Sequence, residues 1–337
     1  MNFIMQPLGW ILKLCDTLVG NYGLAIILFT ILIKLILLPL TIKQQRSMMK
    51  TQKLQPLLNQ LQQKYANDKE KLNMETMKLY QKYHVNPMSG CLPLLIQLPI
   101  LMALYWVVQR PITYLMGLPE SESWRIINAL KEWSETSPDA VSALLSSLRV
   151  DSLDMLADMY KRAEIPIAQF MEDNPAILNN HWITGSGKTI EAINFGFLGM
   201  NLSQTPNLGA LATLVMGKLP QISAGDMLLW IIPVLSGLSS YASMKLSQAM
   251  QPQQPAKTAN GEDAPNPMKS MNLFMPFISA WFAFTLPAAI GLYWVTSNLL
   301  QMAQQVVLNK TIRIDLTDEQ IEGEIVNVKK NRKKRKK

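Results

Sequence analysis

Charge is scarce in this chain. Of its 337 residues 17% are charged and 49% hydrophobic, and so little charge at this length argues against an ordinary soluble enzyme and for a membrane chain. Histidine occurs only at His84 and His181, which leaves almost no material for a zinc site or for imidazole catalysis. Cysteine occurs only at Cys15 and Cys91; the topology derived below sets them on opposite sides of the membrane, so no disulfide is expected between them. A nucleotide-binding loop is lacking too. Gly185-Ser186-Gly187-Lys188-Thr189 has the end of such a loop, but Trp182 stands where the pattern needs its first glycine, and no strand precedes it. The first residues show no clear charged start, short apolar run and small-residue cleavage site of a signal peptide. No catalytic residue, metal ligand or cofactor is expected.

Apolar runs are what the chain has instead. Gly23 to Ile42 reads GLAIILFTILIKLILLPLTI, about the 20 residues a helix needs to cross roughly 30 Å of hydrocarbon. A second run, Cys91 to Val108, contains Pro93, Gln97 and Pro99, which predict a kinked backbone with one polar face. A third extends from Met227 to Met244 around Pro233. The last region, Met271 to Leu308, is too long for one span and divides at Thr285-Leu286-Pro287 into two helices, the first of them short. The expected architecture is an all-α polytopic membrane protein. Its five transmembrane helices are placed at 23–42, 91–110, 226–246, 270–285 and 287–309. Residues 1–22 form an external interfacial amphipathic helix, with Gly9, Lys13, Asp16, Thr17 and Gly20 on one face opposite Leu8, Ile11, Leu12, Cys15, Leu18 and Val19.

Orientation follows from the basic residues flanking the spans. Between the first two spans, nine basic residues from Lys43 to Lys82 face only Asp68, Glu70 and Glu75, whereas Glu120 to Asp173 holds eleven acidic residues and five basic ones. The first segment is therefore cytoplasmic and the second external, with the N-terminus outside. The C-terminus, residues 310–337, is inside with its basic run KKNRKKRKK. The cytoplasmic segment, 43–90, reads as a helical hairpin: Leu54, Leu57, Leu58, Leu61 and Tyr65 share one helical face, and Leu72, Met77, Leu79, Tyr80 and Tyr83 supply another after a turn at Asn67-Asp68. Its methionines, among them Met48, Met49, Met74 and Met77, suit contact with varied apolar partners or simply pack the hairpin. The external loop, 111–225, carries short helices broken at Pro138, Pro166 and Pro175, and the connector, 247–269, is Pro-rich and polar, a composition expected to be disordered.

Lys34 stands out within the first span. A charge at the centre of a lipid-facing helix costs about 2.5–3.5 kcal/mol on insertion scales. One reading is snorkelling over the roughly 12 Å to the cytoplasmic end of the span. The other is a water-filled cavity among the helices, to which Gln97, Ser236, Ser239, Ser240, Thr296, Ser297, Asn298 and Gln301 offer polar groups. For the serines and threonines, a bond back to the helix's own carbonyls is the competing role.

Three stretches carry a resemblance. NPMSGCLPLLIQLPILMALY (Asn86 to Tyr105), FLGMNLSQTP (Phe197 to Pro206) and LPAAIGLYWVTSNLLQMAQQ (Leu286 to Gln305) resemble the YidC/Oxa/Alb family of membrane protein insertases, in its five-span Gram-positive-type form. The resemblance implies a plasma-membrane insertase and chaperone, independent of an energy source, with a hydrophilic groove open to cytoplasm and lipid but closed outside. Lys34 occupies the groove position where the family usually has arginine; it keeps the charge and loses the planar fork. Gln97 and Trp294 match groove positions, and Asn298 and Gln301 join them as polar candidates. The resemblance further implies that the hairpin receives nascent membrane proteins. It implies that the tail residues Lys329, Lys330, Arg332, Lys333, Lys334, Arg335, Lys336 and Lys337 contact the ribosome, and it leaves room for action beside the general secretion channel. The external stretch from Pro119 to Ala192 is longer than the family leads one to expect. No small-molecule substrate is expected, although a small-solute transporter or channel would also suit a polar cavity with one charge. The absence of an internal repeat argues against that alternative.

Overall fold

The computed structural model describes residues 2–65, 68–83, 99, 102–103, 105–188, 190–206, 224–250 and 267–312. They are almost wholly helical. The longer helices are α1 (Asn2–Val19), α2 (Tyr22–Ile36), α3 (Leu38–Lys53), α4 (Gln55–Lys64), α5 (Lys69–Lys82), α6 (Ser123–Thr136), α7 (Pro138–Leu148), α8 (Leu153–Asp158), α9 (Tyr160–Asp173), α10 (Ile231–Met250), α11 (Pro267–Thr285) and α12 (Ala288–Thr311). Short turns of helix lie at Pro111–Tyr114, His181–Thr184 and Ala224–Leu229, and one two-residue antiparallel pair joins β1 (Gly196–Phe197) to β2 (Met200–Asn201). The second predicted span, the 247–269 connector and the tail lie largely outside the described residues.

The chain divides into two units, residues 1–33, 98–238 and 277–297 in one and residues 34–97, 239–276 and 298–337 in the other. In the first unit, α6 to α9 pack around Ile126, Leu130, Leu144, Leu156, Ala163, Ile167 and Met171, all buried. Proline opens α7 at its first turn, where a missing N–H costs nothing, and Arg149 closes it in the left-handed region at φ 58°. Pro166, read from sequence as a break, lies inside the continuous helix α9. The start of α2 is tied to the same unit: the Tyr22 backbone N–H donates to the Asn194 carbonyl at 3.0 Å, its hydroxyl donates to the Val108 carbonyl at 2.8 Å, and its ring meets Phe195 edge-on at 5.1 Å.

The apolar residues that the sequence sets on one face of α1 divide between the protein interior and the surface. Leu12 and Cys15 are fully buried and Met5 nearly so, and Gly9 sits so close to the Tyr114 ring that a Cβ would clash with it. The exposed apolar residues are Phe3, Trp10, Leu14 and Leu18. Periodicity tells which residues share a face, and a helix this rich in apolar groups has two such faces, of which the protein takes one.

In the second unit, α4 and α5 pack through Leu54, Leu57, Leu58, Leu61 and Leu79, with Leu72, Tyr65, Tyr80 and Tyr83 around them. Asp68 caps α5 by accepting from the Lys71 backbone N–H at 3.1 Å. Among the described residues, Met227–Met250 is the one helical stretch long and apolar enough by itself to span a membrane; α2 and α3 qualify only taken together as one broken span. Helix α11 is longer than the sequence reading, but its apolar part is the ten residues Pro276–Thr285. Leu286 and Pro287 separate it from α12, whose polar residues lower its hydropathy.

Candidate functional site

Helix α2 is built from YGLAIILFTILIKLI, whose start is capped by the Asn21 side chain accepting from the Leu24 N–H at 3.1 Å. It ends at Ile36 because Pro39 cannot donate to the carbonyl four residues back and its ring crowds that carbonyl. Lys34 therefore lies in the last turn of α2, two residues from its end, rather than deep in a straight span running to Ile42. It is half-buried, and has no ion-pair partner among the described residues. A cation in this last turn also faces the partial negative charge of the helix's final carbonyls.

The polar residues of the last helices separate into distinct groups. The Asn298 amide on α12 donates to the Ser239 hydroxyl at 3.1 Å and to the Ser240 hydroxyl at 2.9 Å, both on α10. This is a two-pronged bond across helices, which a serine bonding only to its own helix would not give. Ser236 donates to the Ser279 carbonyl of α11 at 3.4 Å, where both serines are buried. Gln301, three residues beyond Asn298, is exposed. Trp294, in the other unit from Lys34 and Asn298, is half-buried with its ring centroid 5.9 Å from that of Phe282. Gln97 and the tail residues from Lys329 to Lys337 lie outside the described residues. Met48 and Met49 are half-buried on α3, while Met74 and Met77 are each 49% exposed on α5, pointing away from the leucine core that Leu79 joins.

Sequence reasoning missed a second polar cluster. Glu164, with no exposed surface, accepts from Arg110 Nε at 3.1 Å, from the Thr113 hydroxyl at 2.7 Å and from the Thr113 backbone N–H at 2.8 Å. Arg110 reaches on through a second nitrogen to Glu120 at 2.7 Å, and Lys161 binds the other Glu120 oxygen at 2.7 Å. Burial pushes the Glu164 carboxyl above its ordinary value, opposed by the bonds from Thr113 and the charge of Arg110. The bonds from Lys161 and Arg110 hold Glu120 below its ordinary value. The signal in the sequence was a carboxylate, Glu164, set among Ala163, Ile165, Pro166 and Ile167. Among the described residues no group of three His, Cys, Asp or Glu could hold a metal ion.

One helical stretch long and apolar enough to span a membrane, an apolar helix with one half-buried lysine, and helices joined by asparagine–serine bonds fit the class of helical membrane proteins. The family described as "60Kd inner membrane protein" matches residues 14–315, and the chain belongs to this family, the YidC/Oxa/Alb family of the resemblance above. It is similar to proteins named "Membrane protein insertase YidC": 55% identical over 111 residues to that of Fusobacterium nucleatum, 50% over 110 residues to that of Anaeromyxobacter and 49% over 108 residues to that of Francisella tularensis subsp. novicida. Each match takes in about a third of this chain. It spans 54% of the Fusobacterium protein and 20% of each of the other two. Membership of this family places the chain in a bacterial membrane.

Proposed function

We propose that this protein is a membrane protein insertase and chaperone, working without covalent chemistry. The single observation that carries the reading is the family match over residues 14–315, with relatives that bear the insertase name supporting it. In this reading five helices span the plasma membrane, the N-terminus is outside and the C-terminus cytoplasmic. Lys34, Gln97, Trp294, Asn298 and Gln301 contribute to a polar groove open to cytoplasm and lipid. The pair α4 and α5 forms a cytoplasmic hairpin that receives nascent membrane proteins, with Met48, Met49, Met74 and Met77 offering adaptable contact. The basic tail docks the ribosome, and the general secretion channel is a further partner.

The physical logic is that a polar or acidic tail crosses a wet, positively charged groove at lower cost than bare hydrocarbon. The hydrophobic segment meanwhile slides into lipid along the second and fourth spans. The short apolar part of α11 shortens that path by thinning the bilayer locally. The test is Lys34→Ala with a single-span substrate bearing an acidic external tail. Insertion falls if the charge attracts the tail, and unchanged insertion overturns the charged-groove mechanism. Solute flux through the protein in liposomes would instead favour a transporter.

A further inference from the structure

Between α1 and the segment that follows Arg110 lies an open cleft of about 530 Å³. Lys13, Arg110 and Lys188 line it, with Glu120 as the lone carboxylate in its wall. Arg110 is consumed by Glu164 and Glu120, and Lys188 leans on Glu122 at 3.2 Å. Lys13 has no ion-pair partner among the described residues. Its ammonium enters the cleft over Gly117, lying 3.1 Å from where a Cβ of that residue would sit; Gly117 also adopts φ +76°, a conformation glycine accepts without strain.

The same cleft is flanked by Trp10, which is 67% exposed. Trp10 belongs to the outward apolar stripe of α1, with Phe3, Leu14 and Leu18 at intervals of seven, four and four residues on one helical face. A cationic cleft and an apolar stripe that meet at a tryptophan match the two ends of one molecule. We propose that the cleft binds an anionic phospholipid of the outer leaflet, its phosphate against Lys13 and Lys188 and its acyl chains along Trp10, Leu14 and Leu18. Tryptophan settles at headgroup depth, and each lysine near an anionic headgroup strengthens the attachment on the order of fivefold. The proposal rests on the reading of α1 as an interfacial helix on the outer face.

The full chain, exchanged into bilayers of phosphatidylcholine and phosphatidylglycerol in equal parts and released for native mass spectrometry, retains phosphatidylglycerol in preference to phosphatidylcholine. Lys13→Gln lowers that retention several-fold, Lys13→Gln with Lys188→Gln abolishes the preference, and Lys13→Arg keeps it. Should the double variant fail to fold, the contrast between Lys13→Gln and Lys13→Arg decides the matter. Equal retention by all variants overturns the proposal, as does displacement of the lipid by millimolar glycerol 3-phosphate, which would mark a site for small soluble anions. Lys34→Ala leaves lipid retention unchanged, so failure here is separable from failure of the insertase reading.

Discussion

Arg110 and Glu164, 54 residues apart in the chain, form a buried ion pair at 3.1 Å that joins the end of one apolar segment to helix α9. Removing Glu164 leaves Arg110 with Glu120 alone and takes away the acceptor of the Thr113 amide and hydroxyl. Glu164→Ala is expected to cost about 1–3 kcal/mol, read as a lowered unfolding midpoint and as proteolysis within α6 to α9. Replacing both residues with methionine recovers part of that loss, since two well-packed apolar side chains need no compensation.

The two carboxylates of this cluster give opposite pH dependences. Glu120 is held below its ordinary value by Lys161 and Arg110, so the stability it adds is present above the ordinary carboxylate range and is lost as pH falls through its depressed value. Glu164 is raised by burial, so the stability it adds is fully present below the ordinary value of about 4.3 and is lost as pH rises through its raised one. Glu120→Gln therefore flattens the acid side of a plot of thermal midpoint against pH. Glu164→Gln removes the decline that begins just above the ordinary range.

Asn298 bonds to Ser239 and Ser240 at once. Asn298→Leu should cost about 0.6–2 kcal/mol, the worth of such bonds between membrane helices, measured by thermal unfolding in detergent. Ser239→Ala combined with Asn298→Leu should cost less than the sum of the two single changes, because they share one network.

Leu57, 2% exposed, lies in the small cluster that joins α4 to α5. Leu57→Ala removes buried methyl groups and should cost about 2–5 kcal/mol, enough to speed amide exchange throughout α5 while exchange in α6 to α9 stays unchanged.

The helical class and the family were legible in the sequence, because long apolar runs and the segments around Asn86, Phe197 and Leu286 announce them directly. What joins distant residues was not. Nothing along the chain says that Glu164 belongs with Arg110, or that the Asn298 amide finds Ser239 and Ser240. Lys34 was legible as an anomaly, but its place in the last turn of α2 depended on where Pro39 breaks the helix, and an apolar run reads straight through that proline. For α1 the spacing gave the faces and left undecided which one Leu12 and Cys15 would share with the protein.

The first amides of α12 have an unusual destination. Ala288 N–H donates to the Gln204 carbonyl at 2.8 Å and Ala289 N–H to the Leu202 carbonyl at 3.0 Å, so two donors that a helix leaves orphaned are satisfied by main chain from the Phe197–Pro206 segment. A joint made of backbone alone is blind to side chains. Substitutions at Ala288 that keep the amide keep the bond and meet only the limit of space around a fully buried side chain, while Ala288→Pro, ordinarily the mildest place for proline in any helix, removes one of the two bonds that seat the helix.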